Sequence, residues 1–134
     1  MGARRKGRII AFQTLYRYGC TNEPIEELSE FSWLLEDESI NFAKLLITGT
    51  LENLEEIDTA IKEHLEHWDF GRLSKVDLAV LRISVYCIIF QKTSIPPAVT
   101  IDEAIDIVKD FGSVDSYRFV NGVLDSIKKS AENA

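Results

Sequence analysis

Apolar positions recur at three- and four-residue spacing along almost the whole chain, Gly and Pro are scarce, and no alternating strand pattern of useful length occurs. The pattern predicts helix nearly throughout, in about seven segments. A first helix is expected over about residues 4–18, with Ile9, Phe12, Leu15 and Tyr16 facing inward and Gly19 stopping it. Asn22, Pro24 and the acids Glu26 and Glu27 signal a short second helix. A third begins near Ser39 and carries Phe42, Leu45, Leu46 and Gly49. A fourth carries Leu54, Ile57, Ile61 and Leu65, and the break between the two falls near Asn53.

The second half has clearer punctuation. Ser74 followed by Asp77 has the spacing of a capping box with the shorter acid, opening a fifth helix that reaches about Phe90. Its apolar positions Val76, Leu78, Val80, Leu81, Ile83, Val85, Ile88 and Ile89 surround most of the helix, which should therefore be central. Pro96 and Pro97 break the chain. A sixth helix is expected over about 100–111, with Ile101, Ala104, Ile105 and Val108 as its buried stripe. Asp102 and Glu103 belong to its first turn and Gly112 ends it. Ser113 caps a last helix carrying Val120, Val123, Leu124 and Ile127, with Lys128 and Lys129 near its C-terminal end. The predicted class is all-α.

A length of 134 residues suggests one domain over 1–134, and 46% apolar with 28% charged residues excludes a disordered chain, a collagen or a disulfide scaffold. No apolar run approaches the ~18 residues that a membrane span needs. The basic start has no signal-peptide apolar stretch, so a cytoplasmic location without membrane attachment is expected. Cys20 and Cys87 are too few for a tetrahedral metal site without histidine, and both are expected to be reduced. Charge changes the picture more. Residues 1–18 hold Arg4, Arg5, Lys6, Arg8 and Arg17 and no acid, giving +5, while the rest of the chain, with 10 basic and 22 acidic residues, carries −12. A basic arm on an acidic body binds a polyanion locally and repels it elsewhere; a frayed, solubilising terminus has the same composition.

Candidate chemistry is sparse. His64 and His67 stand three apart among Glu63 and Glu66, which reads as a solvated acidic face rather than a metal pair. No phosphate-binding loop, nucleophile elbow or dinucleotide-binding glycine trio occurs, and the carboxylates are scattered over amphipathic helices. No catalysis, cofactor or metal is expected. Arg82, within an otherwise apolar helix, is expected to form a buried or half-buried ion pair. Asn121 and Gly122 are expected to allow close helix packing with a satisfied interhelical hydrogen bond.

The segments AVLRISVYCIIF, IPPAVTIDEAIDIVKDFG and DSYRFVNGVLD, in that order between Val80 and Asp125, resemble the NusB family of transcription antitermination factors. Arg4, Arg5, Lys6 and Arg8, followed by Ala11, Gln13, Leu15 and Tyr16, resemble that family's arginine-rich first helix. Residues 20–70 match only in helical pattern. The resemblance implies an all-helical fold of two packed three-helix halves that binds the single-stranded boxA element of ribosomal RNA leaders. It also implies the ribosomal protein NusE as partner, within an RNA polymerase complex containing other Nus factors. By the same resemblance, Arg4, Arg5, Lys6, Arg8, Phe111, Asp115, Arg118 and Phe119 would face RNA and Asp77 would face the ribosomal protein. Phe119 reads either as a base-stacking ring or as core, Asp115 as a repulsive acid or a first-turn acid, and Asp77 as a partner contact or a capping acid. Lys6 replaces a family arginine, Tyr117 replaces a more polar residue, and Pro97 makes a double-proline turn. Two alternatives stand beside this reading. One is the RNA-binding domain of an rRNA cytosine methyltransferase, which expects a methyl-donor-binding domain to follow, and the sequence closes at Ala134. The other is a helical protein–protein adaptor without an RNA role.

Overall fold

The structure, a computed structural model, describes residues 2–21, 38–66 and 69–133. Among these are six α-helices and no strand: α1 (Ala3–Thr21), α2 (Glu38–Glu52), α3 (Leu54–Glu63), α4 (Lys75–Phe90), α5 (Pro97–Phe111) and α6 (Ser116–Glu132). A 3-10 turn, Phe70–Arg72, precedes α4. The expected second helix and His67 lie outside the described residues.

α4 is the centre, because it has no polar side to turn outward. It packs against all five other helices. α1, α2 and α3 gather on one side of it, and α5 and α6 pack with it on the other, giving two three-helix groups that meet at α4. Ser74 opens α4 by accepting a hydrogen bond from the Asp77 backbone N–H at 3.0 Å on its Oγ. Arg82 is the one basic residue among the buried positions of α4. Its Nε and Nη2 donate to the two carboxylate oxygens of Asp58 on α3, both at 3.0 Å, and its guanidinium lies 5.8 Å from the Tyr18 ring centre of α1. The expected ion pair is therefore present, and it joins α1, α3 and α4 at one point.

α1 buries Gly7, Arg8, Ala11, Phe12 and Leu15, a stripe of three- and four-residue steps. Tyr16, expected inward, is 41% exposed, because one residue past Leu15 turns it about 100° round the helix. Ile9 is only half-buried for the same reason, and α1 runs through Gly19 to Thr21 instead of stopping there. Gly7 lies where α1 meets α2: a β-carbon there would stand 2.7 Å from the Ser39 carbonyl oxygen and 2.9 Å from the Phe42 ring. No other residue lets the two helices come this close without shifting. Leu45 of α2 is exposed, opposite the buried Ala43, Leu46 and Ile47.

Three further expectations are corrected. α5 begins at Pro97, since proline lacks the N–H that a first helical residue would leave unpaired anyway; Asp102 and Glu103 thus fall beyond the first turn. Within α5, Ile107 is buried and Ile105 half-buried. Ser113 does not cap α6, which begins at Ser116; Ser116 Oγ instead accepts from the Ser113 N–H at 3.1 Å. Asn121 and Gly122 are exposed, one and two steps past the buried Val120, and a β-carbon at Gly122 would meet nothing within 4 Å. Among the described residues neither makes the close helix contact expected of it. Cys87 is buried and burial pushes its thiol up to about 12, whereas Cys20 is exposed; both are free thiols.

The Arg82–Asp58 pair generates a stability prediction. Arg82→Ala leaves the Asp58 carboxylate enclosed without its partner and should cost about 3 kcal/mol in urea unfolding. Arg82→Met combined with Asp58→Leu should recover most of that loss, because both charges leave together. An Arg82→Ala protein with the parent's unfolding midpoint would remove the pair from the determinants of stability.

Candidate nucleic-acid interface

The basic arm is the first two turns of α1, folded rather than frayed. Arg5 is already engaged: its Nε and Nη2 donate to Glu103 at 3.1 and 3.3 Å, and Nη2 also donates to Asp106 at 3.1 Å, both acids on α5. The bond to Glu103, with its charge, raises the Arg5 pKa above the usual value. Arg4 and Arg8, one turn apart, each bring a guanidinium near the Phe42 ring of α2, at 5.3 and 5.2 Å from its centre. They differ in exposure. Arg4 is exposed, whereas Arg8 is 6% exposed, stands 3.8 Å from Glu103, and has its pKa lowered by burial against the opposing pull of that acid. Lys6 is exposed.

Phe111 closes α5 next to the arm. Its ring centre is 5.1 Å from that of Phe12 on α1, and it shares a shallow cleft with Arg5, Glu103 and Asp106. The ring is nevertheless 46% exposed. Gly112 then takes the chain sharply toward α6. Its N–H donates to the Val108 carbonyl at 2.8 Å, and a β-carbon would stand 2.8 Å from that oxygen and 2.9 Å from Ser116. Close approach, not a left-handed backbone, demands glycine here, since its φ is −96°.

The first turn of α6 spreads three side chains. Phe119 is half-buried against the core and lines two clefts. One, of about 280 Å³, also holds Arg72, Ser74, Asp77 and Asp115; the other, of about 350 Å³, holds His64, Leu65, Arg118 and Gly122. Arg118 is exposed and donates from Nε to the Tyr117 hydroxyl at 3.1 Å, a bond that raises the guanidinium pKa. Asp115 is exposed and makes no side-chain capping bond to α6. Asp77 is 9% exposed, and its Oδ1 has no hydrogen-bond partner among the described residues. The serine half of the expected capping box is formed, with the Asp77 backbone as donor and no capping bond from its carboxylate.

The structure thus brings Asp77, Asp115 and Phe119 to one cleft and Arg5 with Phe111 to another, and these two clefts share no lining residue. Glu103 and Asp106, which hold Arg5, and Phe42, which receives Arg4 and Arg8, are not among the site residues expected from the sequence. The only local sign of the first two is an acid pair three apart on an amphipathic helix. Among the described residues no group of His, Cys, Asp and Glu is placed to hold a metal ion, and no helix is long and apolar enough to cross a membrane. His64 turns its Nδ1 to the Ala60 carbonyl at 2.8 Å.

An all-helical body with a folded cationic arm and ring-bearing clefts at a neighbouring turn defines a small helical protein of the nucleic-acid-binding kind. The family model described as the NusB family matches residues 5–129, and the chain belongs to that family. The transcription antitermination protein NusB of Treponema pallidum (strain Nichols) is 51% identical over 133 residues, covering 96% of this chain and 94% of its own. The solved structure of T. maritima NusB superposes with a TM-score of 0.84 at 40% identity, covering 94% of this chain and 90% of that one. A chain in the crystal structure of antitermination factors NusB and NusE in complex with dsRNA superposes with a TM-score of 0.83 at 31% identity, covering 97% and 98%.

Proposed function

We propose that this NusB-family chain is a transcription antitermination factor that binds the boxA element of ribosomal RNA leaders together with the ribosomal protein NusE. It works in the cytoplasm within an RNA polymerase antitermination complex, and it acts by holding RNA and protein together without catalysis, cofactor or metal. The observation that carries the reading is the folded cationic arm beside a turn whose rings are open to solvent. Cations on phosphates with exposed rings for unpaired bases are the means by which single strands are held. A solved relative stands in a complex with NusE and double-stranded RNA. Here the exposed ring of Phe111 and the cleft-lining ring of Phe119 favour unpaired bases, whose faces a duplex would hide.

Roles divide by burial and pairing. Arg4 and Lys6 meet phosphate directly. Arg5 does so by exchanging Glu103 and Asp106 for it. Arg8, buried between Phe42 and Glu103, fixes the arm from beneath. Phe119 and Phe111 receive bases, Arg118 meets the backbone beside Phe119, and Asp115 lowers affinity by repelling phosphate. Asp77, with a buried unpartnered oxygen in the cleft beside Phe119, accepts from a donor of the ribosomal protein.

Two measurements check this. In gel retardation, boxA-like single-stranded RNA should bind at least about tenfold more tightly than a scrambled strand when NusE is present, a gap of about 1.4 kcal/mol. Equal binding of both strands would sink the antitermination reading. Asp77→Ala should weaken NusE association while leaving the melting temperature within about a degree of the parent, since the Ser74 cap uses the residue 77 backbone. Unchanged NusE affinity in that folded variant would remove Asp77 from the interface.

A further inference from the structure

On the opposite flank of the first α6 turn from Phe119 stands the ring of Tyr117. It is 37% exposed. Two cations lie against it. The Lys109 Nζ of α5 is 5.8 Å from the ring centre and the Arg118 guanidinium is 5.7 Å from it, while the Arg118 Nε–H donates to the Tyr117 hydroxyl at 3.1 Å. These contacts come from two different helices.

Arg5, Arg8, Arg82, Lys128 and Lys129 each have a carboxylate within 4.0 Å. Among the described residues, Lys109 and Arg118 have none at that distance, as is also true of Arg4, Lys6, Lys62, Arg72, Lys75 and Lys92; what sets these two apart is the exposed ring they share. Two cations from two helices against one exposed ring make a site for an anion that also carries a flat apolar face. A nucleotide has both parts: the base covers the ring and the flanking phosphates meet the cations. An aliphatic or purely anionic ligand would use only one of them.

Arg118 also places this site on a path. It lines the same cleft as Phe119 and touches Tyr117, so it stands between the two rings. We propose that Tyr117 is a second base-stacking platform for single-stranded RNA, with Arg118 on the phosphate between Tyr117 and Phe119 and Lys109 on the phosphate beyond. RNA then crosses the N-terminal turn of α6 and continues onto the α5 side, so the footprint is longer than the arm and Phe119 alone provide. The assignment rests on the RNA-binding reading above.

The test is fluorescence anisotropy with a labelled boxA-like RNA of about 12 nucleotides, within the usual span of single-strand sites, and with the same strand shortened at each end in turn. Tyr117→Ala should weaken the full strand roughly five- to a hundredfold, the range expected for one lost base stack. Tyr117→Leu, which keeps side-chain bulk without a π-face, should lose as much, and Tyr117→Phe should stay within about twofold of the parent because stacking needs no hydroxyl. Lys109→Ala should reduce the logarithmic salt slope by about 0.7. One shortened strand should bind parent and Tyr117→Ala equally, since it no longer reaches the ring. Parent-like binding of the full strand by both Tyr117→Ala and Tyr117→Leu would overturn the platform while leaving the RNA reading in place. Equal losses in Tyr117→Phe and Tyr117→Ala would overturn it too, by assigning the effect to the hydroxyl. Failure of the parent itself to bind any strand would bring down the RNA reading and the platform together.

Discussion

From Asp77 to Ile88 every residue of α4 is buried, and a helix apolar on all sides has nowhere to lie except between other helices. That constraint orders the rest of the molecule. α1 must lie along α4 to cover it, which fixes the arm as folded helix on the body. α5 and α6 cover the other side, and the turn between them carries Phe111 to Phe12 and so to the same end as the arm. The one cation that α4 buries, Arg82, is satisfied by Asp58 of α3 with Tyr18 of α1 against it. The α-helical core and the candidate interface are therefore parts of one packing solution.

The charge asymmetry works through that packing. Gly7 lets α1 settle close on α2, so Arg4 and Arg8 both meet Phe42, and Arg5 reaches Glu103 and Asp106. The acidic body thus holds part of its own arm. In the proposed complex a phosphate would have to take the place of the two acids at Arg5, whereas among the described residues Lys6 and Arg4 have no ion pair to exchange. On the proposed RNA-binding role, such an exchange would lower non-specific affinity for polyanions and leave more of the discrimination to the rings at the α5–α6 turn, since phosphate contacts carry no sequence information.

Helix class and the central position of α4 are legible in the sequence because both depend on local periodicity and composition. Ser74 is equally legible as a cap, since the signal lies within three residues. Individual facing is less so: Tyr16, Leu45, Asn121 and Gly122 each sit one or two steps from a buried neighbour, and one step is about 100° of rotation. Arg82 announces an ion pair, but which of 22 acids meets it depends on tertiary packing. The bond from Arg5 to Glu103 spans 98 residues and leaves no local trace. The burial of Arg8 is hidden as well, because a basic cluster on a first helix reads as uniformly exposed until its partner helix is placed.

If the folded arm on α1 is the phosphate-binding part of an RNA interface, its cations must show in the salt dependence of binding. The most direct measurement is therefore that dependence for boxA-like single-stranded RNA, comparing the parent with a variant in which Arg4, Arg5 and Lys6 are all replaced by Ala. Each phosphate contact contributes about −0.7 to the logarithmic slope on single strands, and Arg5 contributes less because Glu103 and Asp106 take up cations when they are released. The expected result is a slope flattened by about 1.5 to 2 in a variant that melts like the parent, with all RNAs weakened alike. An unchanged slope in that folded variant would contradict the phosphate-binding role of the arm.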